Sequence, residues 1–169
     1  MSDTEIRTTA EAHEASALPC ARVVHMDEDA PDTPETLPLP PELVAEPLED
    51  KTPAQWAYER LVLYIQNFEQ QLDADQEVAM GLVGGEAGVL RIEGIGYFAP
   101  DVLTFYGQNE EGARTQLIQH VSQLNVMLIA QPKPVEAEPP RRIGFRLAKG
   151  LEQGGNGARP AAPVTQEGA

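Results

Sequence analysis

Residues 114–130, RTQLIQHVSQLNVMLIA, decide the fold. Read as strand–turn–strand, Arg114 to Gln119 is extended, His120 to Leu124 turns, and Asn125 to Ala130 is extended again until Pro132 stops it. Read as a helix, Leu117, Val121 and Leu124 share one face. The strand reading makes this segment the end of an antiparallel sheet, and strand–turn–strand is the expectation.

Working toward the N-terminus, Val102 to Tyr106 reads as a strand, closed by the polar turn Asn109 to Gly112. Ala99-Pro100-Asp101 separates it from a longer strand near residues 89–98. Gly94 and Gly96 inside that strand mark a bulge, a sharp bend or a close backbone approach. Gly84 to Gly88 reads as a hairpin turn, without the Lys-Ser/Thr that a phosphate loop requires. Val78, Met80 and Leu82 alternate with smaller residues, so a first strand is expected near residues 77–83. Upstream, Thr52-Pro53-Ala54-Gln55 supplies an N-cap, a proline at the first helical position and a glutamine three residues after the cap. The helix it starts runs to about Gln71 with Ala57, Leu61, Tyr64, Ile65, Phe68 and Leu72 on one core-facing stripe. Trp56 and Leu63 lie off that stripe, either covering a core edge or meeting another chain.

The bulk numbers draw the same boundaries. Of fifteen prolines only Pro100 lies between Ala54 and Gln131, and that interval holds eight of the nine aromatic residues. Residues 1–50 carry thirteen acidic side chains against Arg7 and Arg22, a net charge of −11 out of −15 for the chain. Such a segment buries too little apolar surface to offset chain entropy. The expected organisation is a disordered acidic tail at 1–51, a folded α+β domain at 52–131, a linker with a basic–hydrophobic motif at 132–150, and a disordered tail at 151–169. Within the first tail, Pro38 to Val44 is a proline-rich patch, either a polyproline docking motif or a stiff spacer.

Global acidity argues against non-specific affinity for nucleic acid or anionic membrane. Cys20 is the only cysteine, so neither an intramolecular disulfide nor a cysteine-based metal site is available. No run approaches the ~18 consecutive apolar residues of a membrane span. The N-terminus lacks the basic start and apolar run of a secretory signal. A cytoplasmic protein without a cofactor is expected.

One helix followed by five short antiparallel strands resembles the Sm-like fold of bacterial Hfq. Leu90-Arg91-Ile92-Glu93-Gly94-Ile95 is similar to the first Sm motif, with Asp101 one residue later than that motif's aspartate. Gln116 to Ser122 resembles the run leading into that family's last strand. His120 matches its histidine, while Gln119 stands where its RNA-contacting lysine belongs. The resemblance implies a strongly bent sheet closing into a small barrel, edge strands that pair into a ring, and RNA as a ligand. The same block also resembles an uncharacterised bacterial domain family of unknown function.

No catalytic signature is present. His120 is the only histidine in the domain, with Ser122 two residues on and Asp101 a conceivable carboxylate. A structural histidine at a turn is the default reading, and the three histidines of the chain lack metal-ligand spacing. Arg141, Arg142, Arg146 and Lys149 gather around Ile143, Phe145 and Leu147. Arg142 and Arg146 have the spacing of the cyclic-dinucleotide-binding arginines in the PilZ family, but here they trail the strands. Either this segment packs Ile143, Phe145 and Leu147 onto the domain, or it is a detachable motif for an acidic partner. The function expected is a non-enzymatic, self-associating interaction module. The alternative is an Sm-like RNA- or nucleotide-binding regulator. The contact residues are Trp56, Leu63, Gln119, His120, Arg141, Arg142, Phe145, Arg146 and Lys149.

Overall fold

The computed structural model describes residues 21–82 and 88–154. The first and last stretches of the two expected tails, and most of the Gly84 to Gly88 turn, lie outside the described residues. The chain divides into Met1–Pro38 and Leu39–Ala169. In the first unit, Asp27 and Thr33 organise short turns, with the Asp29 amide donating to Asp27 Oδ1 at 3.0 Å and the Thr36 amide to the Thr33 carbonyl at 2.9 Å.

The second unit is α+β. Its elements are α1 (Pro41–Val44), a 3-10 turn (Leu48–Asp50), α2 (Pro53–Gln70), β1 (Gln76–Leu82), β2 (Val89–Phe98), β3 (Val102–Gln108), β4 (Arg114–His120), a 3-10 turn (Val121–Gln123), β5 (Val126–Pro132) and α3 (Ile143–Gly154). Residues 114–130 are therefore strand–turn–strand. α2 starts where its cap dictates: Thr52 Oγ1 accepts the Gln55 amide at 3.3 Å, with Pro53 in the first turn.

The five strands form one antiparallel sheet ordered β4-β3-β2-β1-β5. β1 to β4 follow one another as a meander, and β5 then crosses to pair with β1 along seven residues, Gln76↔Pro132 to Leu82↔Val126. In a flat sheet the two edges would lie about 19 Å apart, four strand spacings. The link from His120 to Val126 contains a 3-10 turn, and so reaches only about 16 Å. The sheet must therefore curl strongly. It does not close: no pairing joins β4 to β5, and the small barrel implied by the Sm-like resemblance is not formed. The crossing is fixed by the Val121 amide, which donates to the Asp101 carbonyl at 2.7 Å and directs the chain away from β4.

Part of the curl comes from β2. Its pairing with β3 shifts between Ile92 and Gly94, making Glu93 the extra residue of a β-bulge. The phase of burial changes with it: Leu90 and Ile92 face the core before the bulge and Ile95 after it. Opposite the bulge, a Cβ on Gly107 would lie 2.0 Å from the Arg91 carbonyl oxygen. Only glycine fits there.

α2 lies on the sheet, and Val62, Ile65, Met80, Leu103 and Phe105 are fully buried at the centre. Of the predicted stripe, Ala57, Leu61 and Ile65 are buried and Phe68 and Leu72 pack against the core, while Tyr64 is exposed. The buried arc is wider than the stripe because α3 covers a second side of α2, burying Val62 and Glu69.

α3 corrects two expectations. Residues 141–149 are not a linker motif, and the helix continues to Gly154, into the segment expected to be disordered. Ile143, Phe145 and Leu147 do not pack together. In a helix, residues 143, 147 and 151 share a face. Accordingly Ile143, Leu147 and Leu151 pack on the core, and Phe145 is 64% exposed. The acidic flank is also shorter than expected, since α1 places Leu43 in a buried position.

Candidate functional site

Three carboxylates are buried among the described residues: Glu59, Glu69 and Glu77. A buried charge without partners is strongly unfavourable, and each of these is engaged by a segment flanking the predicted domain. Glu59 accepts Lys51 Nζ at 2.7 Å, and the same ammonium reaches the Leu43 carbonyl. Glu69 accepts the Ile143 amide at 2.9 Å and the Gly144 amide at 2.8 Å, capping α3. Glu77 accepts the Arg141 amide at 2.8 Å and the Arg91 guanidinium at 3.4 Å. Burial pushes the Glu69 carboxyl above its ordinary value, against the two amides and Arg142, which lower it.

These staples place the basic residues. Arg142 donates to the backbone carbonyls of Gln76 and Asp73. Arg141 donates to Glu93 at 3.3 Å. With Arg91 and Arg146 they line a cavity of about 350 Å³ that also contains Glu77 and Glu93. Three of the four guanidinium groups there, those of Arg91, Arg141 and Arg142, already make hydrogen bonds. Among the described residues Arg146 alone of the four arginines makes no hydrogen bond or ion pair. Phe145 and Lys149 form a separate exposed pair, with the ammonium 4.7 Å from the ring centroid.

The other predicted residues fall elsewhere. Trp56 is 42% exposed on α2 and lies under the Arg60 guanidinium, 4.9 Å away. Leu63 is half-buried. Gln119 is turned inward on β4, and its Nε2 is buried with no hydrogen-bond partner. His120 ends β4 at the surface, with Nε2 3.0 Å from Asp101 Oδ2 and Nδ1 2.7 Å from Ser122 Oγ. The structure thus joins Arg141, Arg142 and Arg146 in one cavity and His120 with Ser122 and Asp101 in one cluster.

The sheet edges are the features that sequence reasoning located only in outline. Among the described residues β4 is hydrogen-bonded on one side only, to β3, and β5 on one side only, to β1. Thr115 to Gln119 contains no charge, nor does Val126 to Pro132. On the outer surface of these edges Ile118 is 64% exposed and Met127 52% exposed. Native edge strands are ordinarily guarded by lysine, inward charge or a covering element. Here Pro132 at the end of β5 and Arg114 at the start of β4 are the only such residues in the two strands.

The fold and its surfaces define a small α+β domain with an open, curled antiparallel sheet, held together with both of its flanks by buried carboxylates. Residues 49–146, more than half of the chain, match DUF6173, a family of unknown function, and the chain belongs to that family. The match takes in Lys51 at one end and Arg141 to Arg146 at the other, the segments stapled by Glu59, Glu69 and Glu77. No curated protein and no solved structure matches the chain.

Proposed function

We propose that this chain is a self-associating interaction module of the cytoplasm, working by binding rather than by turnover. The observation that carries the reading is the pair of edges, β4 with no charge from Thr115 to Gln119 and β5 with none from Val126 to Pro132, at opposite ends of one sheet. A β4 edge of one copy pairs with the β5 edge of the next, a head-to-tail contact that closes into a ring when the rotation allows. Seven residues on each strand are available for that pairing. Ile118 and Met127 would lose exposed apolar area in the contact. Trp56 and the Phe145–Lys149 face of α3 remain outside it, as contacts for a protein partner. The cytoplasmic placement rests on the single cysteine, and no helix among the described residues is long and apolar enough to cross a membrane.

Light scattering after size exclusion tests the reading. The wild-type chain is expected to run as a multiple of its 18.4 kDa mass, and Ile118→Lys as a single chain. A wild-type monomer at about 100 μM, well above a micromolar Kd, removes the proposal.

A second reading, an Sm-like regulator binding RNA or a nucleotide, is favoured by one observation, the four arginines around one cavity. It requires retention of oligo-U or oligo-A at low salt and release as salt rises. Clean elution of the nucleic acid eliminates it.

A further inference from the structure

We infer that Ser122 is an activated nucleophile, a site at which this chain takes an acyl group from an activated ester or thioester. The inference needs only one copy of the chain, and so stands or falls separately from self-association.

Asp101 follows Pro100 in the β2–β3 turn, where the Pro100 carbonyl accepts the Ala54 amide at 3.0 Å and the Asp101 carbonyl accepts the Val121 amide at 2.7 Å. Val102 and His120 are cross-strand partners. Asp101, His120 and Ser122 therefore sit on two turns bound to each other and to the first turn of α2.

The hydrogen bonds then fix the proton positions. The Ser122 amide lies 3.1 Å from His120 Nδ1. An amide can only donate, so Nδ1 of the neutral ring carries the lone pair and Nε2 carries the hydrogen. Nε2–H donates to Asp101 Oδ2 at 3.0 Å, and the Ser122 hydroxyl, 2.7 Å from Nδ1, shares that lone pair with the amide. The order is hydroxyl, imidazole, carboxylate. A base oriented by an acid toward a hydroxyl is the arrangement that activates serine.

The step balances without a further reagent. Ser122 Oγ attacks the acyl carbon while its proton passes to His120 Nδ1. The carbon–oxygen or carbon–sulfur bond to the leaving group breaks, and the leaving group departs with the electron pair and takes that proton. The products are O-acyl-Ser122 and a free alcohol, phenol or thiol. Two features limit the chemistry to acyl capture. The Ser122 amide competes with the Ser122 hydroxyl for the Nδ1 lone pair, and no pair of backbone amides is arranged as an oxyanion hole among the described contacts.

The probe is p-nitrophenyl acetate with the full-length chain, read by peptide mapping of acetylated serines. The chain has three serines, Ser2, Ser16 and Ser122, so the first two are internal references. General-base assistance predicts acetylation of Ser122 on the order of a hundredfold faster than of either reference. His120→Gln should bring Ser122 down to the reference rate, and Asp101→Asn should slow it about tenfold, roughly a 1.4 kcal/mol change in barrier. Equal rates at the three serines in the wild-type chain overturn the inference, with no variant needed. So does a His120→Gln protein of unchanged circular dichroism that still acylates Ser122 at the wild-type rate.

Discussion

Two glycines of α3 should respond in opposite directions to the same substitution. A Cβ at Gly144 would lie 2.6 Å from Glu69 Oε2 and 3.0 Å from the Gln66 Cα, whereas a Cβ at Gly150 meets nothing within 4 Å. Glycine to alanine inside a helix is worth about 1 kcal/mol of propensity, and Gly150→Ala should collect most of it. Gly144→Ala gains the same propensity but drives the Glu69 carboxylate off the Ile143 and Gly144 amides, which now bind it at 2.9 and 2.8 Å. Hydrogen bonds to a charged group contribute about 1.5–3 kcal/mol each, and water recovers part of that loss. The Gln66 backbone cannot move aside, so α3 must shift and loosen Leu147. We expect Gly144→Ala to lose about 2–3 kcal/mol net, read as a lower urea midpoint by far-UV circular dichroism and Trp56 fluorescence. If Gly144→Ala were as stable as wild type, the close approach of α3 to α2 would be refuted. A loss at Gly150→Ala of similar size would refute the account of the helix itself.

Gly107→Ala should be far more damaging, at least about 3–4 kcal/mol, because the clash is with the Arg91 backbone rather than a movable side chain; thermal denaturation would show it. Gln119→Leu removes a buried amide nitrogen that has no partner, and should raise the urea midpoint by about 1–2 kcal/mol of stability. A loss there would mean the amide is satisfied in the native state. Glu69 sets a pH dependence. Its folded pKa is raised, so the folded state holds more protons than the unfolded one, and stability from this group falls as pH rises from the ordinary carboxyl range, ~4.3, through the raised value. Glu69→Gln should flatten that slope in urea titrations at several pH values while lowering stability overall.

The sheet was legible because each strand alternates and each turn carries glycine, proline or a polar cluster. Residues 114–130 resolve as strands since Gln116, Ile118 and His120 point out and Thr115, Leu117 and Gln119 point in. The return of β5 to β1 was not legible, because local alternation says nothing about which neighbour a strand will choose. α3 was hidden for a different reason. Residues 143, 145 and 147 are apolar at a spacing of two, and Gly144 looks like an interruption rather than a contact. The helical stripe appears only when Leu151 is added to Ile143 and Leu147. Val62 was the available hint, an apolar residue beyond the predicted stripe that requires a second covering element. Glu59, Glu69 and Glu77 carry no mark in the sequence, because a buried acid is recognisable only once its partners are brought to it by folding. Likewise Asp101 meets His120 across nineteen residues, a proximity that strand pairing creates.

Complementary edge variants put the assembly to its hardest test. Ile118→Lys blocks β4 and leaves β5 free; Met127→Lys does the reverse. Each should be a monomer alone by light scattering, and an equimolar mixture should give a species of two chains through the one pair of intact edges. A mixture that stays monomeric while the wild type assembles, or variants that both assemble like wild type, would contradict head-to-tail edge pairing.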